Sequence, residues 1–257
     1  MMEMNILVCI KPVPDVGGTI NLTEDNKNID TKNLGFAISP HEECAVEEAI
    51  QIVEKNGGST TVLTLSSDDA QKQLRVSLAL GMNKAVLLET QDCNWNANQT
   101  ATAIANAVKD LEAANGPFNL IMFGGESADR ANAQVGILVA HALDRPSINR
   151  ITGLDIQEDK AIIKRDCEEG TEIYEVPLPA VISIKDGMNT PRFPTLRGTM
   201  QAKKKPLESF SVSPKDTGAT FSKFTRPEVQ SKQTEILGNG PEAAAKVVEL
   251  LKKLEMV

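Results

Sequence analysis

The 257-residue chain is poor in the side chains that usually carry chemistry: one Trp, one Tyr, two His and four Cys. Neither His41 nor His141 has a Ser-containing elbow motif near it, which argues against a His-based catalytic triad. Cys9, Cys44, Cys93 and Cys167 are widely scattered with no CxxC pair, so they fit neither a disulfide framework nor a zinc site. Nothing among these side chains is an evident electron store, so any redox chemistry must be a cofactor's. A basic surplus is also missing. Lys and Arg number 27 against 35 Asp and Glu, a net charge of −8, which argues against a nucleic-acid-coating role. No apolar run approaches the roughly 20 residues that cross a bilayer. The start, Met1-Met-Glu-Met-Asn-Ile-Leu-Val, lacks the basic segment and cleavage site of a signal peptide. Together with the cysteine usage, this leads to the expectation of a cytoplasmic protein.

What is present is globular: 41% hydrophobic and 24% charged residues. Short apolar runs alternate with longer amphipathic segments. Asn5 to Lys11 reads as a buried strand ended by Pro12 and Pro14. Ala45, Ala49, Ile52 and Val53 recur at helical spacing between Glu43 and Glu54, with Pro40 before them and Gly57-Gly58 after. A strand over 60–65, a helix opened by Asp68 or Asp69 and closed by Gly81, a strand over 85–89, a helix over 98–113 and a strand over 118–123 follow. A further helix carries Val135, Leu138, Val139, Ala142 and Leu143. This order predicts an α/β fold: a doubly wound, mostly parallel sheet with helices on both faces. Ligands of such sheets sit beyond the strands' carboxyl ends, where strand order reverses.

After Ser147 the texture changes. Residues 151–156, 161–165, 171–176 and 180–184 read as consecutive strands, a small antiparallel region. From Lys185 the chain is rich in Pro, Lys, Ser and Thr until an amphipathic helix over about 241–254. A segment from 185 to 240 is too long for an idle loop. It is either disordered or an extended C-terminal arm, and Phe210, Phe221, Phe224 and Ile236 favour an arm lying on a partner chain. The expected division is a nucleotide-binding domain over 1–184 and a recognition loop with the arm over 185–257.

Chemistry is most legible in Gly124-Gly-Glu-Ser-Ala-Asp-Arg-Ala-Asn-Ala-Gln-Val-Gly136. A buried strand runs into two glycines, small and polar residues, and then a helix. Glycine lets backbone approach a ligand closely. A helix start offers N–H groups and a positive dipole end to phosphate. Ser127, Asn132 and Gln134 add side-chain donors. The spacing is neither a P-loop nor GxGxxG. Two readings stay open, a nucleotide-phosphate cradle and a tight strand-to-helix turn with ordinary capping. His41-Glu-Glu-Cys44 holds metal-ligand types, but adjacent residues at a helix start cannot all face one ion, and no metal is expected. Lys203-Lys-Lys205 reads as a solvated face. Upstream, Met188-Asn-Thr-Pro-Arg-Phe-Pro-Thr-Leu196 is a proline-stiffened loop with an apolar tip. Stiffening lowers the entropy lost on docking.

Four stretches resemble the beta subunit of electron transfer flavoproteins: Ile6 to Asp15, Ser39 to Ala49, the cradle ending Ala133-Gln-Val-Gly136, and Leu178 through Asn189-Thr-Pro-Arg-Phe-Pro-Thr-Leu196 to Glu208. The resemblance implies a heterodimer whose alpha subunit holds most of an FAD. It also implies a buried adenine nucleotide in this chain: AMP, or a second FAD with NADH as donor in bifurcating members. Residue by residue, it assigns nucleotide contacts to Cys9, Ser39, Pro40, His41, Glu42, Ser67, Gly124, Gly125, Glu126, Ser127, Ala128, Asp129, Arg130, Asn132, Ala133, Gln134, Val135 and Gly136. It makes Leu196 the tip of a loop that docks on acyl-CoA or other flavin-linked dehydrogenases, with Lys204 beside it. It implies an electron carrier with no catalytic residues of its own. The family often has Gly-Lys-Gln-Ala-Ile-Asp where this chain has Gly124-Gly-Glu-Ser-Ala-Asp129. A stand-alone adenine-nucleotide-binding module is the alternative of a different class.

Overall fold

The computed structural model describes residues 3–15, 17, 20–91, 94–215, 222–227 and 234–257. Met1, Met2, Cys93 and Phe221 lie outside them. The chain divides into two units, Met1–Lys223 and Phe224–Val257.

The first unit opens with β1 (Met4–Cys9). Four two-residue strands follow in two antiparallel pairs: β2 (Val13–Pro14) with β5 (Phe36–Ala37), and β3 (Asn21–Leu22) with β4 (Ile29–Asp30). Next come α1 (Pro40–Asn56), β6 (Gly58–Ser66), α2 (Gln71–Leu80), β7 (Lys84–Glu89), α3 (Ala97–Asn115), β8 (Leu120–Gly124) and α4 (Val135–Ala142). The remainder is β9 (Ser147–Ile151), β10 (Gly153–Gln157), β11 (Lys160–Cys167), β12 (Gly170–Pro177), β13 (Ala180–Ile184), α5 (Leu196–Ala202) and β14 (Leu207–Ser211).

Among the described residues, seven strands form one sheet in the order β14-β7-β6-β1-β8-β13-β9, every neighbouring pair parallel. The chain builds from β1 outward through β6 to β7, then returns to place β8 on β1's other side. The order therefore reverses at the β1/β8 boundary, where α/β sheets hold ligands. Side chains of β1 alternate between the faces, as a fully buried strand requires. Met4, Ile6 and Val8 pack with Ala45, Ala49, Leu74 and Leu78 of α1 and α2. Leu7 and Cys9 pack on the other face with Ile104, Val108 and Val139 of α3 and α4. The doubly wound α/β reading is borne out.

Two features differ from the reading by pattern. The run read as one strand over 151–156 is split between two sheets. β9 ends at Ile151 beside β13, whereas β10 starts at Gly153 in a separate antiparallel sheet, β10-β11-β12. Arg150, with φ of 54°, lies at the register shift between these partners. In the 185–240 segment, residues 207–211 pair with β7 as the sheet's edge strand, from Leu207 opposite Ala85 to Ser211 opposite Glu89. An edge strand needs only one buried flank, so Leu-Glu-Ser-Phe-Ser carries no apolar alternation that would announce it.

The second unit holds a short turn of 3₁₀ helix, Pro241–Ala243, and α6 (Ala244–Lys253). Val247, Val248 and Leu250 of α6 are exposed. Among the described residues no helix is long and apolar enough to cross a membrane.

Gly58 sets the α1–β6 junction: its φ is 115°, and a Cβ there would lie 2.1 Å from the Met4 carbonyl oxygen. Gly58→Ala is therefore expected to cost about 3 kcal/mol or more, through strain and displacement of β1 from β6. Urea denaturation monitored by circular dichroism would read this, and a wild-type midpoint would contradict it.

Candidate functional site at the sheet reversal

The carboxyl ends of β1, β8 and β13 meet the first turn of α1. Pro40 occupies the start of α1, where its missing N–H costs nothing. Ser39, 1% exposed, precedes it. Its N–H donates to Glu42 Oε2 at 3.0 Å, the reach-back of a capping box. Its hydroxyl accepts from the Ala128 N–H at 2.9 Å and so ties the helix start to the loop after β8. The other Glu42 oxygen, Oε1, accepts from the Lys11 N–H at 2.9 Å, just beyond β1. Three segments distant in sequence are thus joined through two side chains.

Gly124 and Gly125 make the junction possible. A Cβ on Gly124 would lie 2.7 Å from Glu42 Cγ and 3.1 Å from the Glu42 nitrogen. A Cβ on Gly125 would meet the Ile184 oxygen at 3.1 Å and His41 Nδ1 at 3.2 Å. The Gly125 N–H donates to that Ile184 oxygen at 2.7 Å. His41 Nδ1 accepts from the Asp186 N–H at 2.9 Å, which leaves the imidazole proton on Nε2. His41, Glu42 and Cys44 are therefore engaged in packing and capping, and Glu43 is exposed. Among the described residues no group of three His, Cys, Asp or Glu is placed to share a metal ion.

Between β8 and α4 the chain forms an exposed loop. Ala131 and Ala133 have φ of 47° and 51°, whereas Gln134 lies at −108°. Such alternation of left- and right-handed residues turns successive N–H groups towards one concavity, a recurrent anion seat. Gly136 admits the start of α4 against Phe123: a Cβ would lie 3.2 Å from that ring. The arrangement suits a phosphate-bearing nucleotide, because close-approach glycines, a nest-like turn and two helix starts converge at the sheet reversal.

Two charged pairs flank the loop. Lys11 bridges to Asp129, and Arg150 Nη1 lies 3.4 Å from Glu126 Oε2. Burial works against the Asp129 charge, but the Lys11 and Ser127 hydrogen bonds hold its carboxyl below the usual range. Arg130 donates to the Trp95 carbonyl at 3.2 Å, and the Trp95 indole donates to Thr90 Oγ1 at 3.2 Å. Arg150 and Trp95 were not singled out by sequence. One lies beyond the loop's motif and the other is a lone buried aromatic, and only the fold gathers them. The structure brings together Cys9, Ser39 to Glu42 and Gly124 to Gly136. Ser67 lies just past the end of β6, along the same edge of the sheet. Cys9 packs its side chain into the α3/α4 core, where burial, and then the Glu42 charge, push the thiol far up and remove it as a nucleophile.

Leu196 and Lys204 lie elsewhere, on and after α5. Thr195 Oγ1 caps this helix by accepting from the Gly198 N–H at 3.0 Å. Leu196 is 80% exposed, and Phe193 and Met200 are exposed with it. Lys203 and Lys204 are also exposed. Lys205 differs: its ammonium donates to the Leu78 and Met82 carbonyls at 2.9 and 2.6 Å, and burial lowers its pKa. The lysine run is thus not uniformly a solvated face, because its last member seals the end of α2.

Glu42 is 6% exposed, and burial pushes its carboxyl up to about 8 despite the two N–H donors. A carboxyl whose folded-state pKa is raised takes up protons on folding. Its contribution is therefore fully present below the unfolded pKa and is lost as pH rises towards about 8. Stability measured by urea denaturation is expected to fall from pH 5 to pH 8 in the wild type, and to fall less in Glu42→Gln. Parallel profiles for the two proteins would count against a raised Glu42.

The family model for the electron transfer flavoprotein domain matches residues 27–215. An electron transfer flavoprotein subunit beta of Bacillus subtilis is 33% identical, covering 97% of this chain and 98% of its own. A protein of the same name from Syntrophomonas wolfei is 33% identical over 98% and 97%. One from Dictyostelium discoideum is 30% identical over the whole of both chains.

Proposed function

Because the chain belongs to the electron transfer flavoprotein family, we propose that it is the beta subunit of a heterodimeric electron carrier and that the cradle at its sheet reversal holds AMP. The alpha subunit holds most of the FAD, which supplies the redox chemistry. The chain is then a binding and docking component and not an enzyme by itself, working in the cytoplasm.

The observation that carries the nucleotide assignment is the junction of Ser39, Glu42 and Lys11 with the Gly124–Asp129 loop. It fixes the loop's backbone beside a helix start before any occupant arrives, so little ordering cost remains. Lys11 and Arg150 are each already engaged by a loop carboxylate. This pairing favours an occupant held mainly by backbone N–H groups, as a single terminal phosphate is, over the longer pyrophosphate of a second FAD. A nucleotide bound only to the folded state also stabilises it, by about 4 kcal/mol at 1,000 times Kd.

The apolar tip at Leu196 serves a different step, docking on acyl-CoA or other flavin-linked dehydrogenases, with Lys204 beside it. The second unit, with exposed apolar residues on α6, is the arm that lies on the alpha subunit.

Denaturing the co-expressed heterodimer is expected to release one FAD and one AMP. Two FAD and no AMP would identify a bifurcating member that takes electrons from NADH. A colourless chain that never pairs would point to a stand-alone nucleotide-binding module. Gly124→Ala is expected to cut retained AMP at least about tenfold, a loss of about 1.4 kcal/mol, and full retention would argue against the cradle. Leu196→Ala is expected to leave flavin content unchanged and to raise the KM for reduction by a dehydrogenase. An unchanged KM would remove Leu196 from docking.

A further inference from the structure

Between β13 and α5 the chain lies along α1 and is fastened to it at three levels. The Asp186 N–H donates to His41 Nδ1 at 2.9 Å. Asn189 Nδ2 donates to the Cys44 carbonyl at 3.0 Å and to Glu48 Oε2 at 2.9 Å. The strongest fastening is Arg192. Its Nε and Nη2 donate to Glu47 Oε2 and Oε1 at 2.9 and 3.0 Å, and its backbone N–H reaches Glu47 Oε2 at 3.2 Å. Its Nη1 and Nη2 also donate to Glu54 Oε1 and Oε2, at 2.7 and 2.9 Å. One guanidinium thus makes two bidentate forks, to carboxylates two turns apart on one face of α1. Glu47 is itself held by Gln51 Nε2 at 2.7 Å and is 4% exposed.

The next residue, Phe193, is 90% exposed, and Leu196 is 80% exposed. Large apolar side chains this exposed gain by folding back onto the protein unless the backbone prevents it. Here Pro191 and Pro194 stiffen the chain on either side of the fork. Gly198 seats α5 on α2, where a Cβ would lie 2.3 Å from the Ala79 oxygen. Arg75 Nη1 closes the far end on the Ala202 and Lys205 carbonyls at 2.7 and 2.8 Å. Both ends of the exposed pair are therefore pinned, the first of them by Arg192.

We infer that Arg192 is a positioning residue for partner docking: its two carboxylate forks hold Phe193 and Leu196 outward as a preformed pair that enters an apolar recess on a flavin-linked dehydrogenase. This rests on the reading of Leu196 as the docking tip and adds Phe193 to the contact and Arg192 behind it. Lysine cannot reproduce the role, because an ammonium is a point charge without a planar fork.

The test uses the FAD-loaded heterodimer with the alpha subunit, reduced by an acyl-CoA dehydrogenase supplied with its substrate. Arg192→Gln is expected to raise the KM for the heterodimer about tenfold with kcat changed less than about twofold, the signature of lost pre-organisation. Flavin content should stay at the wild-type level, and amide exchange over 193–197 should accelerate. Arg192→Lys should recover only part of the KM. Glu54→Gln, at an exposed site that does not threaten folding, should raise KM about threefold, and combined with Arg192→Gln it should add nothing further. If Leu196→Ala raises KM while Arg192→Gln and Glu54→Gln leave KM and exchange unchanged, the positioning role is wrong and the docking tip stands. If Leu196→Ala also leaves KM unchanged, the docking tip falls and this inference with it.

Discussion

The structure depends on how closely the end of β8 approaches the first turn of α1. Side chains at positions 124 and 125 would collide with Glu42, His41 and the Ile184 carbonyl, so two residues without Cβ atoms are what let the central strands and the helix share a corner. Once that corner is closed, Glu42 is sealed from solvent and must satisfy two backbone donors from different segments. An unmet donor there costs about 1–3 kcal/mol, so the corner is held in one arrangement. The proposed seat for an adenine nucleotide follows from the same geometry, because the N–H groups of the following loop are held by a backbone already fixed at both ends.

On the proposed reading, the chain's contribution to electron transfer is correspondingly passive in chemistry and specific in shape. Its thiols at Cys9 and Cys44 are buried, and Lys11 and Arg150 beside the cradle are paired with Asp129 and Glu126. The AMP proposed for this site would take no part in redox steps, and its value would lie in the stability it adds to the fold. The apolar surface proposed for docking is built separately, on the loop before α5 and on α5 itself. Both surfaces share α1, whose first turn belongs to the cradle and whose later turns carry Glu47 and Glu54.

Much of this was legible from sequence because the central strands are buried on both faces and the helices bury one stripe each. Periodicity reports burial directly. The end of β8 was legible for a second reason, since paired glycines between an apolar strand and a helix have few structural uses. What stayed hidden depends on contacts distant along the chain. Nothing local tells that β13 inserts between β8 and β9, that the run after Ser147 changes sheets at Thr152, or that the polar stretch at 207–211 returns to pair with β7. Arg192 could be seen as a charged residue between prolines. Its two acceptors lie some 140 positions earlier, and only the folded path of the loop makes them neighbours. Lys205 escaped for the same reason, its charge being spent on carbonyls at and just past the end of a helix read as complete in itself.

The edge strand β14 bears on how the molecule is made. It pairs with β7, which is synthesised more than a hundred residues before it. At the pace of translation, about 5–20 residues per second, β7 therefore spends several seconds as a bare border of a sheet still growing at its other side. Its buried sequence, Ala85-Val-Leu-Leu, is a type that recruits strands from neighbouring chains when left unpaired. Nascent chains on one messenger thus share a window of mutual stickiness that closes only when residues 207–211 leave the ribosome.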